Sequence, residues 1–146
     1  MIVQGGVLEA KVAIHGSDVI PTEIKSLLKS GKLSTKAMLA GRFNELHQNY
    51  VCSCALRVGR ELLAILPDDL VIITALDNVL NSSTGHLEEQ PILSAAFSRP
   101  TVDGLNLETI DPSDAMKNFV HNMNFKKGAG CSAVAALDAQ RFAVNV

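Results

Sequence analysis

The chain has 146 residues, of which 47% are hydrophobic and only 4% are aromatic. A chain of this length typically buries about 68–70% of the surface that it exposes when unfolded, so its core needs neither a disulfide nor a structural metal. The net charge of −2 comes from scattered residues, whereas nucleic-acid binding requires clustered positive charge. The sequence therefore argues against a nucleic-acid partner, although a local basic groove stays open as an alternative.

The three cysteines Cys52, Cys54 and Cys131 are an odd number and do not suggest a disulfide framework. We therefore expect a protein of the reducing cytoplasm. The amino terminus lacks the basic and apolar regions of a signal peptide, and no apolar run is long enough to span a bilayer, so we expect no membrane partner. The mean hydropathy of +0.21 predicts that a second copy, or another domain of a longer chain, covers some apolar surface.

The first half of the chain predicts one strand and two helices. Residues 7–14 alternate between apolar and polar side chains, which is the pattern of a strand with one wet face. Pro21 fits the first position of a short helix that ends at Gly31. A long helix is predicted over 35–66, with Ser34 as its N-cap, because apolar residues recur there every three or four positions.

The second half predicts two core strands, a further helix and a weak last strand. Residues 70–76 contain one polar residue in an aliphatic run, which is typical of a strand buried on both faces. Residues 92–98 form a second strand, and we expect it to be the antiparallel neighbour of the first. Asp111 and Pro112 mark the start of a helix, and residues 131–137 follow as a strand.

This reading gives the order β-α-α-β-β-α-β and the fold class α+β. We expect a single domain over 1–146, alone or within a longer protein, with a small mixed or antiparallel sheet packed on one long central helix. The stretch G-H-L-E-E-Q-P-I-L-S is similar to segments of bacterial proteins, so a bacterial-type chain is the expectation.

The polar stretch N-S-S-T-G-H-L-E-E-Q-P at 81–91 separates the two core strands and holds the densest set of functional groups. Carboxylates that meet near Asp77 would suit Mg²⁺ or Mn²⁺, because these cations prefer oxygen ligands. The arrangement resembles the core of PD-(D/E)xK nucleases, in which an Asp on one strand and an acid-x-Lys on the next hold the metal. The resemblance makes Asp77, Glu88, Glu89 and Gln90 the candidate catalytic residues.

The sequence departs from that family in two respects. Gln90 stands where the family usually has Lys, and Pro91 follows the acids directly, which predicts that the carboxylates lie in a loop outside the strand. Glu9-Ala10-Lys11 also spells acid-x-Lys, although no Asp precedes it. His86 is a candidate ligand or base, and Lys126 and Lys127 are candidate phosphate-binding residues.

Two functions of different classes remain open. The first is an interaction or assembly module that forms a homo-oligomer, or binds other domains, and has no catalytic activity or cofactor of its own. It rests on the apolar, aromatic-poor composition and on the long two-sided helix. The alternative is a metal-dependent nuclease or phosphodiesterase-like enzyme with a variant acidic site and Mg²⁺ or Mn²⁺. The metal ligands stay unknown, and the sequence does not decide whether the protein is an enzyme.

Overall fold

The computed structural model describes residues 2–4, 7–14 and 23–142. Their elements, in chain order, are β1 (Ile2–Gln4), β2 (Val7–Ala13), β3 (Glu23–Leu27), β4 (Leu33–Ala37), α1 (Ala40–Ile65), β5 (Leu70–Asn81), β6 (His86–Ser98), α2 (Arg99–Asp103), α3 (Pro112–Ala115), β7 (Val120–Lys126) and β8 (Gly130–Ser132). Short 3₁₀ turns follow α3 and β8. The protein is an α+β fold with a mixed sheet and one long helix.

The main sheet has the strand order β1-β2-β5-β6-β7-β8, while β3 and β4 form a separate two-stranded hairpin. Only β2 and β5 run parallel; the other neighbouring strands are antiparallel. A parallel pair needs a long crossover, and here the crossover contains the β3–β4 hairpin and α1. The predicted antiparallel pairing of 70–76 with 92–98 is confirmed, and both segments lie in the centre of the sheet.

Helix α1 covers one face of the sheet with both small and large side chains. Its buried residues are Val51, Cys52, Ala55, Leu56, Gly59 and Leu63. They pack on residues of β5 and β6 such as Ile73 and Phe97, both fully buried. Because Ala55 and Gly59 add little bulk, α1 approaches the sheet closely.

The opposite face of the sheet is covered by the last described segment of the chain. Leu137 and Ala139 pack there against Ile72 of β5. The hydroxyls of Thr74 and Ser94 are 2.9 Å apart, and the Ser94 hydroxyl accepts a hydrogen bond from the Leu137 amide at 2.9 Å. The prediction that 70–76 is buried on both faces is therefore confirmed.

Two predicted helix boundaries are wrong near the β3–β4 hairpin. Residues 23–27 form a strand instead of the predicted helix over 21–31, and Pro21 lies outside the described residues. Gly31 adopts a left-handed conformation, with φ of +80°, in the turn of a hairpin, so it does not end a helix. Ser34 lies in β4 and is not the N-cap of α1, which begins at Ala40 after Leu39.

The predicted helix after Asp111 begins as expected and then stops early. The Asp111 carboxylate accepts hydrogen bonds from the amides of Ser113 and Asp114, which confirms the cap. The helix α3 nevertheless ends at Ala115, and 120–126 form β7 at the side of β6. The sheet supplies strand partners for 120–123, which outweighs the helical spacing of a short segment.

The described element order thus differs from the predicted β-α-α-β-β-α-β, because a hairpin replaces the first helix and β7 replaces most of the third. The last strand is short: β8 covers 130–132, not 131–137. Among the described residues, no helix combines the length and the apolar character that crossing a bilayer requires.

Candidate functional site

The polar stretch 81–91 forms the end of a β-hairpin. The turn covers 82–85, and the amide of Gly85 donates to the carbonyl of Asn81 at 2.7 Å. The Asn81 side chain accepts from both the amide and the hydroxyl of Ser83. Gly85 has a φ of +75°, which favours glycine. The turn is therefore specified by local hydrogen bonds that satisfy most of its own polar groups.

Glu88 and Glu89 lie inside β6, so the prediction that Pro91 would keep them in a loop is wrong. Pro91 pairs with Leu76 next to a bulge, where the register skips Ile92. A bulge locally interrupts the ladder, so the missing amide of proline costs no hydrogen bond there. The Pro91 carbonyl accepts from the amide of Val134 at 2.8 Å, which attaches the last segment of the chain to β6.

The hairpin distributes the four candidate catalytic residues over two faces of the sheet. Asp77 pairs with Gln90 across the strands, and Val79, which packs on the α1 core, pairs with Glu88. Because directly opposed residues share a face, these side chains lie on the α1 side. Successive residues alternate between faces, so Glu89 points to the other side. The sequence predicted that Asp77 would lie near residues 88–90, and the register separates Glu89 from the other three.

Glu88 is held by two amides of its own hairpin. The Asn81 side-chain nitrogen lies 3.2 Å from both carboxylate oxygens, and the Gln90 nitrogen lies 3.3 Å from one of them. These groups line a shallow depression of about 240 Å³ together with Val79 and Ala133. The two amides occupy much of the hydrogen-bonding capacity of the Glu88 carboxylate. This carboxylate is therefore held in place by partners within the same chain.

Asp77 does not line this depression and instead contacts α1. Its Oδ2 lies 3.4 Å from Nε2 of His47, and both side chains are mostly buried, with 17% and 12% exposed. The contact is close enough for an ion pair when the imidazole is protonated, but its geometry is not that of a hydrogen bond. His47 lies within α1 and belongs to no spacing motif. No pattern in the sequence therefore predicted this contact.

The thiol of Cys131 lies near Asp77, and the thiol of Cys52 lies near Cys131. Burial raises the pKa of Cys52 to about 12, and burial followed by the charge of Asp77 raises the pKa of Cys131 to about 11. The Cys52 sulfur also lies 3.7 Å from the sulfur of Met123. Since the nucleophilic form of cysteine is the thiolate, both thiols stay protonated and unreactive at neutral pH.

The three candidate binding residues lie at different places. His86 is exposed and pairs with Asn81 beside the turn. Lys126 is exposed at the end of β7. The ammonium of Lys127 lies 3.3 Å from Glu45 of α1, and its carbonyl accepts from the side chain of Asn44 at 2.8 Å. Lys127 therefore joins the β7–β8 turn to α1.

Within residues 2–4, 7–14 and 23–142, no group of three or more His, Cys, Asp or Glu residues is arranged so that it could hold a metal ion.

Two pairs of exposed leucines are a feature that sequence reasoning missed. Leu80 and Leu87 face each other across β5 and β6, with 60% and 69% of their surface exposed. Leu27 and Leu33 face each other across β3 and β4, with 76% and 61% exposed. The signal for the second pair was present, because the turn K-S-G-K is flanked by leucines on both sides.

No protein-family model, curated protein or solved structure matches this chain.

Proposed function

We propose that the chain is a cytoplasmic interaction and assembly module without catalytic activity of its own, and that its partner is a second copy of the same chain. The observation that carries this proposal is the pair of exposed leucine faces on two hairpins. The β3–β4 leucine face consists of Leu27 and Leu33, and the β5–β6 leucine face consists of Leu80 and Leu87.

The β3–β4 hairpin would gain stability by packing on a partner. A two-stranded hairpin alone in water is at best marginally stable. Leu28, in the turn region, is also 48% exposed. Covering one leucine fully contributes about 1.5–3 kcal/mol. Packing of the β3–β4 leucine face on another surface would therefore stabilise the hairpin and the assembly together.

Charge supports the choice of a second copy as the partner. Residues 23–33 contain three lysines and one glutamate, whereas 77–90 contain three acids and no lysine or arginine. The same difference in charge is found beside the leucines of the two faces. Lys25 lies on the β3–β4 leucine face, because it is two residues from Leu27, and Glu89 lies on the β5–β6 leucine face, two residues from Leu87.

A two-fold dimer would use both complementary faces. In that arrangement the β3–β4 leucine face of each copy packs on the β5–β6 leucine face of the other, so one dimer contains the contact twice. The duplication doubles the buried area, which helps two small patches to reach the size of a stable interface. Charge also favours this arrangement, because pairing two β5–β6 leucine faces would bring their Glu89 carboxylates together, whereas the β3–β4 leucine face offers Lys25.

The test is the concentration dependence of the molar mass, measured by sedimentation velocity. We expect the wild-type chain to dimerise and the variant Leu27→Ser with Leu33→Ser to dimerise at least about 100-fold more weakly, since four leucines per dimer lose their burial. The control is Leu39→Ser with Ile65→Ser, which removes two leucine-sized side chains that are 78% and 75% exposed elsewhere on the surface. The control is expected to dimerise like the wild type.

A charge exchange tests which faces meet. Lys25→Glu and Glu89→Lys should each weaken the dimer about threefold or more, because an exposed ion pair is worth roughly 0.2–1 kcal/mol and each dimer contains two such pairs. The chain that carries both substitutions should regain the affinity. A wild-type chain that is monomeric at all concentrations, or a control that weakens dimers as much as the leucine variant, would contradict the proposal.

A further inference from the structure

A separate depression lies between α1 and the segment that leads to α3. Its volume is about 290 Å³, close to the lower end of ligand pockets in proteins, which begins near 300 Å³. The floor is apolar and consists of Leu56, Leu107 and Ile110, while Pro112 forms one wall. Leu56 is 6% exposed, and the other two floor residues pack against the main core. The floor is thus part of the folded core, and its shape is set without a ligand.

Polar groups of α1 line the open side of the depression. Ser53, Arg57 and Arg60 line it, and their spacing of four and three residues places them along one side of the helix. Arg57 pairs with Glu61 at 3.3 Å, but both side chains are largely exposed, so a ligand can compete for the guanidinium. Within the described residues, Arg60 makes no ion pair.

Among the described residues, neither Glu108 nor Asp111 of the segment that leads to α3 forms an ion pair with these arginines. The Asp111 carboxylate is engaged by the amides of Ser113 and Asp114 at the start of α3. Two guanidinium groups beside an apolar floor therefore form a site with one cationic end and one apolar end. Arginine presents a planar set of donors that matches carboxylate and phosphate oxygens.

We propose that this depression binds a small amphiphilic anion, with a phosphate or carboxylate head at Arg57 and Arg60 and a short apolar tail on Leu56, Leu107 and Ile110. The Ser53 hydroxyl supplies a further hydrogen bond to the head. The small volume selects a ligand with a short chain and excludes a large cofactor. The α1 residues of the site belong to the carboxyl-terminal half of the helix. Neither leucine face contributes to the site, so ligand binding is independent of the proposed self-association.

The experiment uses the full chain labelled with ¹⁵N and hexyl phosphate as the probe, with inorganic phosphate, hexanoate and hexanol as comparisons. We expect hexyl phosphate to shift the amide signals of 53–60 and 105–112 in a saturable way. Inorganic phosphate can contact only the arginines, and hexanol supplies only the apolar tail. Each should therefore bind at least about tenfold more weakly than hexyl phosphate. Comparison with hexanoate identifies which head the site prefers.

Arg60→Gln should weaken hexyl phosphate binding about tenfold, and Arg57→Gln with Arg60→Gln should abolish it, since charge-assisted hydrogen bonds are the strong ones. The control is Arg42→Gln, which removes another exposed α1 arginine, one paired with Glu45, and should bind like the wild type. All three arginines are exposed, so the variants keep the fold. Shifts that scatter over the surface, equal binding of hexyl and inorganic phosphate, or full affinity in the double variant would overturn the proposal.

Discussion

At the scale of single residues, the clearest constraint is the contact between Gly59 and Phe97. A Cβ atom at Gly59 would lie 2.7 Å from the Phe97 ring, which is fully buried. That ring also packs edge-to-face on the ring of Phe119, with 4.6 Å between the centroids. The ring therefore has no room to retreat, and the glycine sets the distance between α1 and the sheet.

Gly59→Ala should lower the free energy of unfolding. Alanine is favoured over glycine in a helix by about 1 kcal/mol, but the added methyl overpacks the core at a cost of about 1–3 kcal/mol. We expect a net loss of up to about 2 kcal/mol in urea denaturation. Gly41→Ala is the matched control, because its Cβ would meet only the flexible and exposed Lys127 side chain. It should be neutral or stabilising, and an equal loss in both variants would contradict the packing argument.

The sequence indicated some of these residue-scale features and not others. Gly59 lies in the long helix that the sequence predicted over 35–66, and Phe97 lies in the strand predicted over 92–98. Nothing in the sequence paired these two residues. The same holds for the contact of His47 with Asp77, since residues on a helix and on a strand meet only through the packing of both elements.

At the scale of elements, Arg99 fixes the carboxyl end of α1 to the start of α2. Its guanidinium donates to the carbonyls of Leu63, Leu66 and Asp68 at 2.5–2.8 Å and to the Asp69 carboxylate at 3.1 Å. The last carbonyls of a helix have no partner within the helix. One side chain therefore satisfies two of them and also positions the loop that enters β5.

Arg99→Lys should destabilise the protein by about 1–3 kcal/mol, because a single ammonium cannot reproduce the forked set of hydrogen bonds. Amide hydrogen exchange at 62–66 should accelerate more than elsewhere in α1. The control is Arg57→Lys, which perturbs only an exposed pair with Glu61 and should change stability by less than about 0.5 kcal/mol. A loss of similar size in both variants would mean that the hydrogen bonds of Arg99 contribute little.

Elements with a long or unambiguous pattern were predictable. The strands at 7–14, 70–76 and 92–98 and the body of α1 follow from periodicity over many residues. The stretches 23–27 and 120–126 were predicted as helices because a few apolar positions fit a 3.6-residue period. Five or seven residues fit either period, and in both cases a neighbouring strand that supplies hydrogen bonds decided the outcome.

At the scale of the whole molecule, the α+β class and the mixed sheet with one long helix were predictable, whereas the strand order was not. The parallel pairing of β2 with β5 joins residues about sixty positions apart, and no local pattern reports such a contact. The candidate site shows the same limit. The sequence placed Asp77, Glu88 and Gln90 in one region, but the register of the hairpin, including a bulge at Pro91, decided which of them share a face.

The packing of α1 on the sheet also makes the stability of the whole molecule depend on pH. Cys52 and Cys131 have pKa values raised to about 12 and about 11, compared with about 8.5 for an exposed thiol. Above pH 8.5 the thiols of the unfolded chain lose protons, while those of the folded chain keep them. The contribution of both thiols to stability is therefore complete below that pH and is lost as the pH rises toward the folded values.

We expect the free energy of unfolding, measured in urea under reducing conditions, to fall above about pH 8.5 by up to about 1.4 kcal/mol per pH unit for each thiol. Cys52→Ala with Cys131→Ala should flatten this fall, whereas Cys54→Ala, which leaves both thiols in place, should keep it. Burial also raises the pKa of Tyr50, so the decisive quantity is the difference in slope between the wild type and the double variant. Equal slopes would show that the two thiols ionise as readily in the folded protein as in the unfolded chain, and that α1 does not shield them from water.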